Sequence, residues 1–164
     1  MSIADAKSVH QKDRVLTFVL NSEKYGVEID KVQEIIAKMR TTPVPKTPDY
    51  IEGLMNLRGN IIPVVDMRLK FEMGESEDLL YEAIVIVRIG SSSVGFIVDS
   101  VEEVMAIEQE NLTKAPDFGS QIDTSFIKSM ARNGEEVIMI LDLNKIFAEE
   151  ELESLEQISQ TKEI

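Results

Sequence analysis

A mainly β fold built from two related halves is what this sequence predicts, and three observations predict it. Short runs of β-branched and aromatic residues recur between clusters of turn-type residues. The pattern Tyr25 to Ile36 returns at Val94 to Met105. Helical spacing of apolar residues is confined to short stretches, at Tyr50 to Leu57 and in the acidic C-terminal segment. A chain of 164 residues holds one ordinary domain, or two very small ones sharing a core, and is long enough to fold without disulfides or a structural metal.

The elements follow in order. Residues 1–13 are polar and aperiodic, a flexible tail that holds the single histidine, His10. Arg14 to Leu20 alternates and is rich in Val, Thr and Phe, so the ordered fold begins there. Asn21-Ser22-Glu23-Lys24 supplies a turn, and Tyr25 to Ile29 returns as the second strand of a hairpin. Val32, Ile35 and Ile36 fit either a helical face or a twisted strand; a turn at Asp30 leading into a strand is the favoured reading. Pro43, Pro45 and Pro48 forbid a regular element. Asp49 and Glu52 have the spacing of a helix-starting cap, so a helix is expected from Tyr50 to Leu57, with Gly53 an anomaly inside it and Gly59 at its C-cap. Ile61 to Val65 reads as a buried strand whose Pro63 argues for an edge or a bulge, and Asp66 as the cap of a short turn reaching Phe71. Acids with Gly74 and Ser76 mark a connector from Glu72 to Glu82. Ala83 to Ile89 and Val94 to Val98 are strands around a Gly90 to Ser93 turn.

The repeat follows from superposition of the chain on itself. At a constant shift of 69, which takes Gly26 to Gly95, the residues Gly, Asp, Val and Glu coincide at Gly26/Gly95, Asp30/Asp99, Val32/Val101 and Glu34/Glu103. Arg58 to Asp66 and Phe71 are echoed by Gly134 to Asp142 and Phe147. Pro43 and Pro45 have a counterpart region in Ala115-Pro116, after which the halves diverge into a loop around Phe118-Gly119 and a turn at Phe126 to Met130. Halves of about 65 residues are marginal alone by burial, so a shared hydrophobic seam and one rigid body are expected. Ala148 to Ser159, with Leu152, Leu155 and Ile158, fits an amphipathic helix lying on that body.

Composition narrows the function. The charge, 17 − 30 = −13, repels a phosphate backbone, so nucleic acid is not an expected partner. No apolar run spans a bilayer and no secretory leader is visible, so a bacterial-type cytoplasm and no direct membrane insertion are expected. Zero cysteines remove thiol catalysis and Cys-ligated zinc. Phosphate-binding, serine-hydrolase and calcium-loop motifs are all missing, so neither a metal nor a cofactor nor a catalytic residue is expected. The acid pairs Glu102-Glu103 and Glu135-Glu136 are read as solvated surface; the competing reading is a hydrolase using two carboxylates. What stands out is Arg58, read either as a cation on helix carbonyls or as an interface anchor, with Glu34 its natural carboxylate partner if the strand Val32 to Ala37 passes it.

The run Asn56-Leu57-Arg58-Gly59-Asn60-Ile61-Ile62-Pro63-Val64-Val65-Asp66-Met67-Arg68 resembles the CheW family of chemotaxis coupling proteins, as do Tyr25 to Ile29, Val32 to Ile35, Pro43-Val44-Pro45, Pro48 to Gly53, Val94 to Val101, Ala115 to Phe118 and Ile138 to Asp142. The resemblance covers about residues 14–147 and leaves 1–13 and 148–164 as tails. It implies two intertwined five-stranded SH3-like β-barrels, about 14–71 and 83–147, with strands exchanged between them and a few short helices. It implies an adaptor with no catalysis that bridges the cytoplasmic tips of methyl-accepting chemotaxis receptors to the regulatory domain of the histidine kinase CheA, within arrays at the inner face of the membrane; an adaptor of another chemosensory array is the alternative. Carried onto matching positions, Ile29, Val32, Glu34, Gly53 and Arg58 lie at first-barrel and receptor-facing surfaces, Gly95 and Val101 line the groove between barrels, and Phe118 belongs to the kinase contact of the second barrel.

Overall fold

The strand Arg14–Leu20 (β1) turns back through Asn21 and Ser22, both at positive φ (51° and 67°), into Glu23–Glu28 (β2). This is the two-residue hairpin geometry that matches strand twist, so the turn is shorter than the four residues expected. The computed structural model describes residues 14–74, 79–115 and 124–160, with no account of the side chains of 158–160. A single 3-10 turn at Ile29–Lys31 leads into Val32–Ala37 (β3), as the favoured reading has it.

The expected helix at Tyr50 to Leu57 is instead a strand, Ile51–Leu57 (β4), paired antiparallel with Asn60–Asp66 (β5). Buried Ile51, Gly53 and Met55 alternate along it, and Glu52 is held by Lys38 Nζ at 3.3 Å instead of capping a helix. Pro63 lies in β5, which is flanked on both sides. Pairing with the neighbouring strand starts only at Val64, so the missing Pro63 N–H interrupts no ladder. Asp66 then accepts from the backbone N–H groups of Arg68 and Leu69 and caps the helix Met67–Lys70 (α1).

The second half repeats the first. Ala83–Ile89 (β6), Ser92–Val98 (β7) and Ser100–Ala106 (β8) are followed by the short Leu112–Thr113 (β9), then Ile127–Asn133 (β10) and Glu136–Leu141 (β11). The turn expected at Phe126 to Met130 is therefore mostly strand. Asp142 accepts from the Asn144 N–H at 3.1 Å, as Asp66 does in the first half.

The strands sort into two sheets, ordered β8-β1-β2-β11-β10-β9 and β3-β6-β7-β5-β4, and each takes strands from both halves. The registers carry the repeat. Val32 faces Val87 as Val101 faces Phe18, with a bulge following each pair. The parallel pairs Val64–Gly95 and Ile140–Gly26 correspond likewise. The bulge between Ile51 and Gly53 recurs between Ile127 and Ser129, so the last hairpins match at a shift of 76. The five-stranded sheet ends on β3 and β4, which are not paired with each other, although Thr42, beyond the end of β3, bridges to Leu54 of β4; the barrels implied by the resemblance are curled sheets that hydrogen bonds do not fully close.

Three apolar clusters result. Met55, Ile62, Val64, Ile84, Ile86 and Ile97 form the small core of the five-stranded sheet, and Val15, Ile107, Ala131, Ile138 and Ile140 that of the six-stranded one. A larger cluster, including Leu16, Phe18, Val27, Val85 and Phe96, takes residues from both and is the shared seam. β6 buries both faces, Ile84 and Ile86 inward and Val85, Val87 and Ile89 into the seam, which explains its apolar run from Ala83 to Val87.

The C-terminal helix Glu149–Gln160 (α2) lies on this body with Leu155 2% exposed in the seam; Ile158, expected on the same face, falls outside the described side chains. Its acidic first turn suits the positive end of the helix dipole. Glu151 accepts from the Ala148 N–H at 2.9 Å, from Lys70 Nζ at 2.9 Å and from the Tyr50 hydroxyl. Burial works against the ionised Glu151 carboxylate, but these hydrogen bonds outweigh it and hold its pKa below the ordinary 4.5. A carboxyl with a depressed folded pKa contributes stability that is complete above its unfolded value and is lost as pH falls through the folded one. Glu151→Gln is therefore expected to weaken the protein at pH 6 and to flatten its loss of stability below about pH 4, read by thermal unfolding across that range.

Candidate functional site

Arg58 owes its position to a tight turn. With Gly59 it forms the two-residue link between β4 and β5, both at positive φ (52° and 88°), and Asn56 Oδ1 accepts the Gly59 N–H at 2.9 Å. A non-glycine residue is uncommon in this backbone region. The turn projects the Arg58 side chain into solvent, 68% exposed, where its guanidinium pairs with Glu34 on β3. Because β3 and β4 are the outer strands of the five-stranded sheet, the pair spans the opening between its edges. The expected partnership of Glu34 and Arg58 is present, although Arg58 caps a hairpin and no helix. The hydrogen bond and charge of Glu34 raise the guanidinium pKa further above its ordinary value, so Arg58 stays cationic at any physiological pH.

Beside the pair lies a shallow groove of about 600 Å³, floored by Leu57, Ile61, Ile62 and Ile86 and rimmed by Gln33 and Ser93. Ser93 Oγ donates to Gln33 Oε1 at 2.7 Å. An exposed ion pair adds little to folding, so Arg58 and Glu34 are free to exchange their mutual contact for one with another protein. The shift of 69 takes Lys24 to Ser93 and Gln33 to Glu102, and Lys24 meets Glu102 at 2.9 Å and Glu136 at 2.8 Å. Gly134 stands where the first half has Arg58. Equivalent ends of the two sheets thus carry different chemistry, an arginine–carboxylate pair at one and a lysine between two glutamates at the other.

The remaining predicted contact residues distribute differently. Ile29 and Val32 are fully buried in the seam and present no surface. Gly53 is buried, and a Cβ there would stand 2.4 Å from the Thr42 carbonyl oxygen. Gly95 is turned into the core of its own sheet, with a Cβ position 2.8 Å from Ile84 Cγ2, and does not line a groove between the sheets. Val101 is half-buried against the seam. Phe118 lies outside the described residues. Among the described members of this set, Glu34 and Arg58 alone meet each other at the surface.

Sequence reasoning missed a second exposed region. Leu79, Leu80 and Tyr81, read as connector, are 58%, 78% and 67% exposed; Leu79 and Leu80 border a surface depression with Met39 and Arg40. A run of two leucines and a tyrosine in an otherwise acidic connector was the available signal. One member of each acid pair is engaged: Glu102 and Glu136 converge on Lys24, whose pKa they raise, Glu136 most through its hydrogen bond. Among the described residues no group of His, Cys, Asp and Glu is placed to hold a metal ion, and no helix is long and apolar enough to cross a membrane.

A two-sheet body with duplicated registers and chemically distinct ends defines a protein-interaction scaffold. Comparison with known proteins agrees. The CheW-like domain family model matches residues 14–151. Chemotaxis protein CheW of Klebsiella aerogenes is 33% identical over 147 residues, covering 89% of this chain and 88% of that protein. Chemotaxis protein CheW of Treponema pallidum is 33% identical over 146 residues, covering 87% and 86%. The crystal structure of scaffolding protein TtCheW from Thermoanaerobacter tengcongensis superimposes with a TM-score of 0.75 at 36% identity, covering 82% of this chain and 92% of that one. The chain belongs to the CheW-like family and is a chemotaxis coupling adaptor, not an enzyme.

Proposed function

We propose that this adaptor joins the cytoplasmic tips of methyl-accepting chemotaxis receptors to the regulatory domain of the histidine kinase CheA, and that residues 14–147 are the unit that does so. The observation that carries the reading is the pair of unlike ends on one rigid duplicated body. A contact between dissimilar patches is heterologous, and such contacts close into rings when the rotation per step divides a full turn. Contacts of this kind are individually small and gain strength through multivalency in an array. Recruitment to arrays at the inner face of the membrane then follows from binding receptors, and requires no membrane segment of its own.

Arg58 is the anchor on the five-stranded sheet. Arginine is favoured at interface centres because its fork of donors matches a carboxylate in two directions. Arg58→Glu is expected to leave the unfolding transition unchanged and to weaken capture of the receptor tip or of the kinase regulatory domain by roughly tenfold or more. Unchanged capture of both by a folded Arg58→Glu variant removes Arg58 from the contact.

A further inference from the structure

The two halves differ at one equivalent place inside the sheets. In the five-stranded sheet Gly53 has no side chain, so the Thr42 backbone packs down on it and bridges to Leu54 through two hydrogen bonds of 2.8 Å. The corresponding pairing in the six-stranded sheet is Thr113 with Met130, and the residue matching Gly53 is Ser129. Ser129 carries a side chain where Gly53 has none, and beside it the sheet keeps a pocket of about 160 Å³.

Its walls are Val15, Ile107, Leu112 and Ile140, and Arg14 lines it as well. The shift of 69 puts Ala83 where Arg14 stands, so the cation belongs to this half alone. Arg14 Nε is buried and has no hydrogen-bond partner. No described residue bonds the rest of its guanidinium either, and a charged acceptor suits such a fork of donors best. The other two ionic groups at the pocket, Lys128 and Glu28, are bonded to each other. The lining therefore has a surplus of one positive charge beside apolar walls, in a chain whose net charge is −13. A cavity of roughly 150 Å³ admits a molecule the size of benzene.

We propose that this pocket binds a monocarboxylate with a short apolar body, the carboxylate on Arg14 and the body against Val15, Ile107, Leu112 and Ile140. Benzoate is the probe, and benzyl alcohol its uncharged counterpart. With the full-length ¹⁵N-labelled protein, benzoate is expected to shift the amides of Val15, Leu112, Ser129 and Ile140 in a saturable way, and benzyl alcohol to bind about tenfold or more weakly. Arg14→Gln is expected to lose that preference. Ser129→Leu, which fills the pocket and leaves Arg14 in place, is expected to abolish the shifts, and decides the matter should Arg14→Gln not fold. Equal binding of acid and alcohol, shifts centred elsewhere, or benzoate binding that survives Ser129→Leu would overturn the assignment.

Discussion

Arg68→Ala is expected to lose about 3–5 kcal/mol of folding stability, the range for removing one member of a buried ion pair. Arg68 is 5% exposed on α1, and its Nε lies 3.2 Å from Asp99 Oδ1 at the end of β7. Asp99 Oδ2 in turn accepts the Asn21 N–H at 2.8 Å from the first hairpin turn. One carboxylate thus ties α1, the β7–β8 corner and the β1–β2 turn, elements of both halves. Removing the guanidinium leaves that carboxylate nearly buried and short of a counter-charge, which is the expensive half of the exchange. Replacing both residues, as Arg68→Met with Asp99→Leu, is expected to recover part of the loss, because no charge is then stranded. Urea unfolding of the two variants checks this: Arg68→Ala costing less than about 1 kcal/mol shows that the pair does not hold the halves together.

Gly53→Ala carries the second large effect. The new methyl would sit 2.4 Å from the Thr42 oxygen and 2.7 Å from its carbon, and the obstacle is backbone, which cannot swing aside as a side chain does. Either the Thr42–Leu54 bridge opens or β4 shifts against β5, at about 2–3 kcal/mol. Gly26→Ala is the comparison, since its nearest neighbours stand at 3.4 Å, ordinary contact with Ile138 and Val15 side chains; it is expected to cost well under 1 kcal/mol. Equal losses for the two would show that Thr42 does not press on Gly53. Gly53 therefore acts on any interaction surface only by fixing the backbone beneath it.

Much of this architecture was legible in the residues because some strands state their surroundings. β1 and β6 are both buried on two faces, and their dense apolar and β-branched content shows it. The shift of 69 seen in the sequence relates the equivalent bulges, and together with the shift of 76 the equivalent parallel registers, features no local pattern contains. β4 misled because Gly53, inward-facing but without a side chain, hides the alternation of Ile51 and Met55, while Asp49 and Glu52 imitate a helix cap. β10 was hidden by Lys128, Ser129 and Arg132, polar residues of a strand only partly covered. Within the candidate site, Glu34 and Arg58 were found through an expected strand passing an expected helix end; the helix end is a hairpin turn instead, and the geometry still brings them together. Ile29 and Val32 were placed on the surface by analogy, and burial in the seam corrects them. The Arg68–Asp99 tie was invisible, since nothing local relates two charges brought together by strand exchange.

Coupling is tested most directly by sedimenting receptor fragments in membranes with the kinase and this protein, following kinase activity in the pellet. The account predicts that kinase enters the pellet, with its activity under receptor control, only when the adaptor is present, and that Arg58→Glu reduces both. Kinase recruitment that is indifferent to the adaptor, or an adaptor that stays in the supernatant with both partners present, would contradict it.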